Sequence, residues 1–99
     1  MGYDIKSTET FRKWLDNIKD ATAKRKILAR FDRIRVGNLG DHKAISANLF
    51  EFRMFFGPGF RVYFTIQGHE IVFLLASGDK STQKRDITKA KKLLSQLED

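Results

Sequence analysis

The sequence predicts an α+β fold, two N-terminal helices packed on one face of an antiparallel sheet, with a further helix at the C-terminus. Three observations predict it. The apolar residues recur at helical spacing from Phe11 to Ile34, then alternate from Phe50 onward, a change of period from about 3.6 to 2. Gly57-Pro58-Gly59 separates two alternating runs, as a hairpin turn does. Ile71 to Ala76 is apolar on both faces, the pattern of a central or covered strand. Ninety-nine residues suffice for a single domain, 1–99.

The elements follow in order. Tyr3 to Ile5 reads as a short first strand. Ser7 and Thr8 are candidate N-caps for a helix with Phe11, Trp14, Leu15 and Ile18 on one stripe. Asp20 can cap a second helix, whose buried face is expected to hold Ile27, Leu28, Phe31 and Ile34 and whose stop is Gly37. Lys24, Arg25, Lys26, Arg30, Arg33 and Arg35 are expected on its outer side. Residues 37–48, rich in Gly, Asn and Asp, read as a loop. Phe50 to Phe56, Phe60 to Ile66 and Ile71 to Ala76 form the meander. The last helix carries Ile87, Ala90, Leu94 and Leu97 on one stripe, with Lys84, Arg85, Lys89, Lys91 and Lys92 on its other faces.

Composition narrows the function. Nineteen Lys plus Arg against twelve Asp plus Glu give a net charge of +7, which suits a polyanionic partner, most often nucleic acid. The chain has no cysteine and two histidines, so disulfides and thiolate metal sites are excluded, and no cofactor or metal is expected. No apolar segment approaches the roughly 20 residues of a membrane helix, and the N-terminus has no signal-peptide pattern, so a cytoplasmic protein without a membrane partner is expected.

Strand alternation places Arg53, Arg61 and Tyr63 on the sheet face turned away from the first two helices. A three-residue Gly57–Gly59 loop would pair Arg53 with Tyr63 and set Arg61 diagonally to Arg53, which avoids two arginines directly opposite. Lys80 follows the third strand of the meander and can border that face. Arginine's planar fork suits phosphate, lysine adds a point charge, and Tyr63, with Phe55, offers aromatic surface for a base. His42 is a candidate general base for attack by a ribose 2′-hydroxyl. An open face with Arg53, Arg61, Lys80 and Tyr63 is a candidate RNA-phosphate site.

Four stretches, in order, carry a family likeness: Gly37-Asn38-Leu39-Gly40-Asp41-His42-Lys43, Leu49-Phe50-Glu51-Phe52-Arg53, Gly57-Pro58-Gly59-Phe60-Arg61-Val62-Tyr63-Phe64, and Ser77 to Ile87 with its Gly78-Asp79-Lys80-Ser81 core. On them the chain resembles the RelE/ParE superfamily of type II toxin–antitoxin toxins, and within it the HigB-like addiction-module killer branch with phage-derived relatives. The resemblance implies a microbial-RNase-like fold with a curved sheet. It also implies metal-independent endonucleolytic cleavage of mRNA, often on the ribosome. The implied partner is a helix-turn-helix antitoxin, through which the pair would reach operator DNA. Carried onto these positions, Arg53, Arg61 and Lys80 would stabilise the scissile phosphate, and His42 or a lysine of lowered pKa would act as base. Lys43 and Lys84 would contact RNA beside Tyr63. Two alternatives share the fold: a ParE-like inhibitor of DNA gyrase, and a catalytically inactive antitoxin-binding relative.

Overall fold

The computed structural model describes residues 2–98; Met1 and Asp99, the ends of the expected domain, lie outside the described residues. The chain runs β1 (Asp4–Ser7), α1 (Glu9–Asp16), α2 (Ala21–Arg35), β2 (His42–Ser46), β3 (Leu49–Arg53), β4 (Arg61–Gln67), β5 (Ile71–Gly78), a 3-10 turn (Lys80–Thr82) and α3 (Gln83–Glu98). The strands form one sheet in the order β1-β5-β4-β3-β2. β2 to β5 pair antiparallel, whereas β1 lies parallel to β5, so the sheet is antiparallel with one parallel edge strand.

The helix starts are where the capping residues place them. Thr8 Oγ1 accepts the Phe11 N–H at 3.0 Å and donates to the Leu75 carbonyl at 2.6 Å, so one hydroxyl both starts α1 and ties it to β5. Asp20 Oδ1 accepts the N–H groups of Thr22 and Ala23, which starts α2. Gly37, at φ +98°, ends the segment by donating to the Ile34 carbonyl.

One sheet face receives α1 and α2. Phe11, Ile27, Phe31 and Ile34 pack there against Phe52, Val62, Phe64, Val72 and Leu74. The opposite face is not open along its length, because α3 lays Ala90 and Leu94 on Leu49, Tyr63, Leu75 and Ala76. A bulge makes this second core possible. The β4–β5 register shifts between Tyr63 and Phe64, and Leu75 and Ala76 both belong to the α3-side core.

Several expectations are corrected. The expected loop 37–48 contains the edge strand β2, whose His-Lys-Ala-Ile-Ser sequence is largely exposed and shows no apolar alternation. Leu28 is exposed on α2, and its expected place inside is taken by Arg30, which is buried. Ile18 lies beyond the end of α1 yet still packs against the core. β3 ends at Arg53, so Met54 to Phe56 belong to the connection to β4.

Candidate functional site

Alternation along β3 and β4 puts Glu51, Arg53, Arg61 and Tyr63 on the α3 side of the sheet. The pairing register differs from that of a three-residue loop. Arg53 stands directly opposite Arg61, and Glu51 opposite Tyr63. The Met54 N–H donates to the Phe60 carbonyl at 3.0 Å, closing a longer connection. A shift of two residues leaves every side chain on its expected face while changing every cross-strand partner.

Two arginines facing each other repel unless a negative group lies between them. Glu51 is that group. Its side chain is fully buried, with Oε1 3.6 Å from Arg61 Nε and 3.9 Å from Arg53 Nε. Gln83, the first residue of α3, donates to the other carboxylate oxygen at 2.9 Å. Asp41 Oδ2 approaches Arg53 Nε from the loop before β2, at 3.7 Å. Both arginines therefore turn their Nε edges toward carboxylates. Arg61 also donates from Nη1 to the Gly59 carbonyl at 3.3 Å, which anchors the guanidinium against the turn.

Arg61 lines a concave pocket of about 390 Å³ together with Lys80, Phe55 and the Gly57–Gly59 turn. That volume lies in the range of small-ligand sites, roughly 300–1,000 Å³. Gly59 sits between the two cations at φ +76°, a conformation that favours glycine. A Cβ there would lie 3.5 Å from Lys80 Cβ and 3.7 Å from Arg61 Nη1. Lys80 is held at this place by the turn that follows β5. The Asp79 side chain accepts the Ser81 N–H at 2.8 Å, and the Thr82 hydroxyl accepts the Asp79 N–H at 3.2 Å. The Ser81 hydroxyl, which donates to the same carboxylate at 2.5 Å, and then the Ser81 N–H hold the Asp79 carboxyl below its ordinary pKa.

The remaining site candidates divide by position. Tyr63 is buried in the α3 core and offers no surface to a base. Burial first, and the Glu51 carboxylate next, push its phenol pKa above the ordinary value. His42 lies on β2 opposite Phe52, on the α1–α2 side of the sheet, with Phe52 and Phe64 each 6.4 Å from its ring. Its Nδ1 lies 2.8 Å from the Gly40 carbonyl, so that nitrogen carries the proton and donates. The structure thus sets His42 on the face opposite Arg53 and Arg61 and does not bring it to the pocket. Lys43 stands opposite Glu51, shares the arginines' face and is exposed. Lys84 is exposed in the first turn of α3, away from the lining of the pocket.

Three contributors carried no signal of their own in the chain. Gln83 is placed by the start of α3, and Glu51, as a neighbour of Arg53, reads only as its partner. Arg30 is the third. It donates to the carbonyls of Leu39 (2.9 Å), Asp41 (2.6 Å) and Arg53 (3.3 Å), and its guanidinium lies 4.9 Å from the Phe52 ring centroid. It thereby fastens the 39–41 loop, with Asp41, to the end of β3. Burial, and then the charge of Arg33, lower its pKa from the ordinary arginine value. Among the described residues, no three His, Asp or Glu side chains cluster as metal ligands would, and no helix is long and apolar enough to cross a membrane.

Comparison with known proteins agrees with this architecture. Over 93% of the chain the fold matches that of a mutant of the E. coli toxin RelE in its free state, covering 97% of that protein, with a TM-score of 0.71 at 12% identity. A second match, TM-score 0.52 at 14% identity, is to a chain of the intact E. coli RelBE toxin–antitoxin complex and covers 79% of this chain and 96% of that one. The chain thus has the RelE toxin fold. In sequence it is 46% identical over 97 residues to an uncharacterized protein of Haemophilus influenzae, covering 98% of each. Residues 13–95 match the model for phage-derived Gp49-like proteins (DUF891), and the chain belongs to that family.

Proposed function

We propose that this protein is the toxin of a type II toxin–antitoxin pair, close to the HigB-like branch of the RelE/ParE superfamily. In this reading it is a cytoplasmic, metal-independent endoribonuclease that cleaves mRNA on the ribosome. The observation that carries the reading is the convergence of Arg61 and Lys80 on one pocket, with Arg53 directly opposite Arg61. Glu51 and Asp41 offset two of these three positive charges, and the site keeps a net positive charge.

The chemistry follows from that charge. A ribose 2′-hydroxyl attacks the adjacent phosphorus, and the bond to the 5′-oxygen breaks. The products are a 2′,3′-cyclic phosphate and a 5′-hydroxyl. The phosphoryl oxygens gain negative charge on the way, and Arg61 and Arg53 stabilise it. Lys80 is positioned to stabilise the departing oxygen. The 2′-hydroxyl proton passes to a base on this side of the sheet, where Lys43 stands, because His42 lies on the other face, and the departing 5′-oxygen takes its proton from the Lys80 ammonium. Lys84 and the other cations of α3 contact the RNA or ribosomal backbone.

The fold it shares with the RelBE toxin chain supports an antitoxin partner. A helix-turn-helix antitoxin presenting carboxylates would cover the cationic pocket and carry the pair to operator DNA.

The test is to express the chain without an antitoxin and map new 5′ ends of cellular RNA. Controls are Lys80→Ala and Arg61→Lys, which keeps a cation beside Glu51. Loss of one charge-stabilising group should lower cleavage on the order of 10²-fold. New ends that persist unchanged in both variants would place the chemistry elsewhere. Growth arrest with intact transcripts and DNA damage would assign the protein to gyrase inhibition, and folded protein with no arrest would make it a binding module.

A further inference from the structure

We infer that Phe55, on the turn carrying Pro58, forms a nucleobase-stacking subsite beside Arg61 and Lys80. It takes the base adjoining the phosphate that those cations hold. This rests on the RNA-cleavage reading above and names how the same pocket grips its substrate.

The first observation is exposure. Phe55 is 78% exposed, while its neighbour Met54 is 3% exposed and Phe56 packs against the core. The connection is already anchored by these inward residues. Phe56 meets Phe60 edge-on at 5.8 Å, and Lys26 Nζ lies 5.2 Å from the Phe56 ring centroid. Phe55 is therefore not needed to hold the turn. Single exposed apolar side chains are common on protein surfaces, so exposure alone assigns nothing.

The second observation is location. Phe55 lines the same concave pocket as Arg61 and Lys80. A nucleotide joins a compact anion to a flat apolar ring, and this pocket joins two cations to a flat apolar ring. The third is how the connection is tied. The Met54 N–H donates to the Phe60 carbonyl at 3.0 Å and the Gly59 N–H to the Phe56 carbonyl at 3.2 Å, so backbone hydrogen bonds are made by both chain neighbours of Phe55. The other aromatic on this sheet face that could stack a base, Tyr63, is buried.

A phenyl ring has no hydrogen-bonding group, so the subsite reads stacking strength rather than base edges. It tolerates every base and favours the larger purines.

The experiment expresses the full chain as wild type, Phe55→Ala, Phe55→Trp and Arg61→Lys, and quantifies mapped RNA 5′ ends by primer extension. Phe55→Ala should leave the melting temperature unchanged and lower cleavage about 5- to 150-fold, the usual range for one lost base stack. Phe55→Trp should retain cleavage. Wild-type cleavage by Phe55→Ala overturns the subsite while leaving the RNase reading intact. If the wild-type chain produces no ends that Arg61→Lys reduces, the RNase reading fails and the subsite falls with it.

Discussion

Arg53 stands directly opposite Arg61 across β3 and β4, with the buried Glu51 carboxylate within 3.9 Å of both Nε atoms. The arrangement is an ion triad in which one carboxylate makes it possible to hold two guanidinium groups side by side. Asp41 adds a second carboxylate beside Arg53, so the two guanidinium charges are offset where they meet, and Lys80 supplies the pocket's further cation.

Glu51→Ala should cost about 3–5 kcal/mol, because it leaves the buried Arg61 guanidinium without its carboxylate. Arg61→Ala should be similarly harmful, since it strands the Glu51 carboxylate. The combination of Glu51→Ala with Arg61→Ala should cost less than the sum of the two single changes. Urea denaturation of the four proteins checks this, and strict additivity would dissolve the triad as an energetic unit.

Arg30→Ala should destabilise by about 2–3 kcal/mol, from the loss of charge-assisted hydrogen bonds to the carbonyls of Leu39, Asp41 and Arg53. Arg30→Lys should recover little, because one ammonium cannot span the three carbonyls as the planar fork does. Amide hydrogen exchange should accelerate over residues 39–43. Unchanged protection there would show that the loop holds without Arg30.

Tyr63 makes stability fall at alkaline pH. Its folded pKa is raised, so between the unfolded value, near 10, and the folded one the unfolded chain has lost its phenolic proton while the folded chain keeps it. Ionisation then pulls the equilibrium toward the unfolded state. Below pH 10 both forms are protonated and the effect vanishes. Tyr63→Phe should therefore match wild type more closely near neutral pH and gain relative stability above pH 10. A constant difference across that range would remove the assigned cause.

Gly78→Ala should destabilise by about 1–3 kcal/mol. A Cβ at Gly78 would overlap Asp86 Oδ2 and lie 2.6 Å from Thr82 Oγ1, where the Thr82 hydroxyl donates to the Asp86 carboxylate. Removing the obstacle with Asp86→Ala should not restore full stability, because the Thr82 hydroxyl then loses its acceptor. Thermal melts of the single and double variants decide it.

Much of this protein was determined along the chain itself. Thr8, Asp20 and Gly37 mark helix ends through local hydrogen bonds that need no distant partner. Alternation assigned Arg53 and Arg61 to one face, and a register change of two residues could not disturb that. Tertiary structure decided the rest. Whether Arg53 meets Tyr63 or Arg61 depends on the length of the connection and on Glu51 lying where two cations need it. β2 has no apolar alternation to show, because an edge strand with an exposed surface is recognised only by its ladder to β3. Arg30 belongs outside by residue type and lies inside because three carbonyls from distant segments converge on it. α3 hides Tyr63 and leaves Phe55 exposed, an outcome set by where a helix docks on a sheet. Local capping and alternation arise between residues a few positions apart, whereas these choices rest on contacts between segments that meet only once the chain has folded.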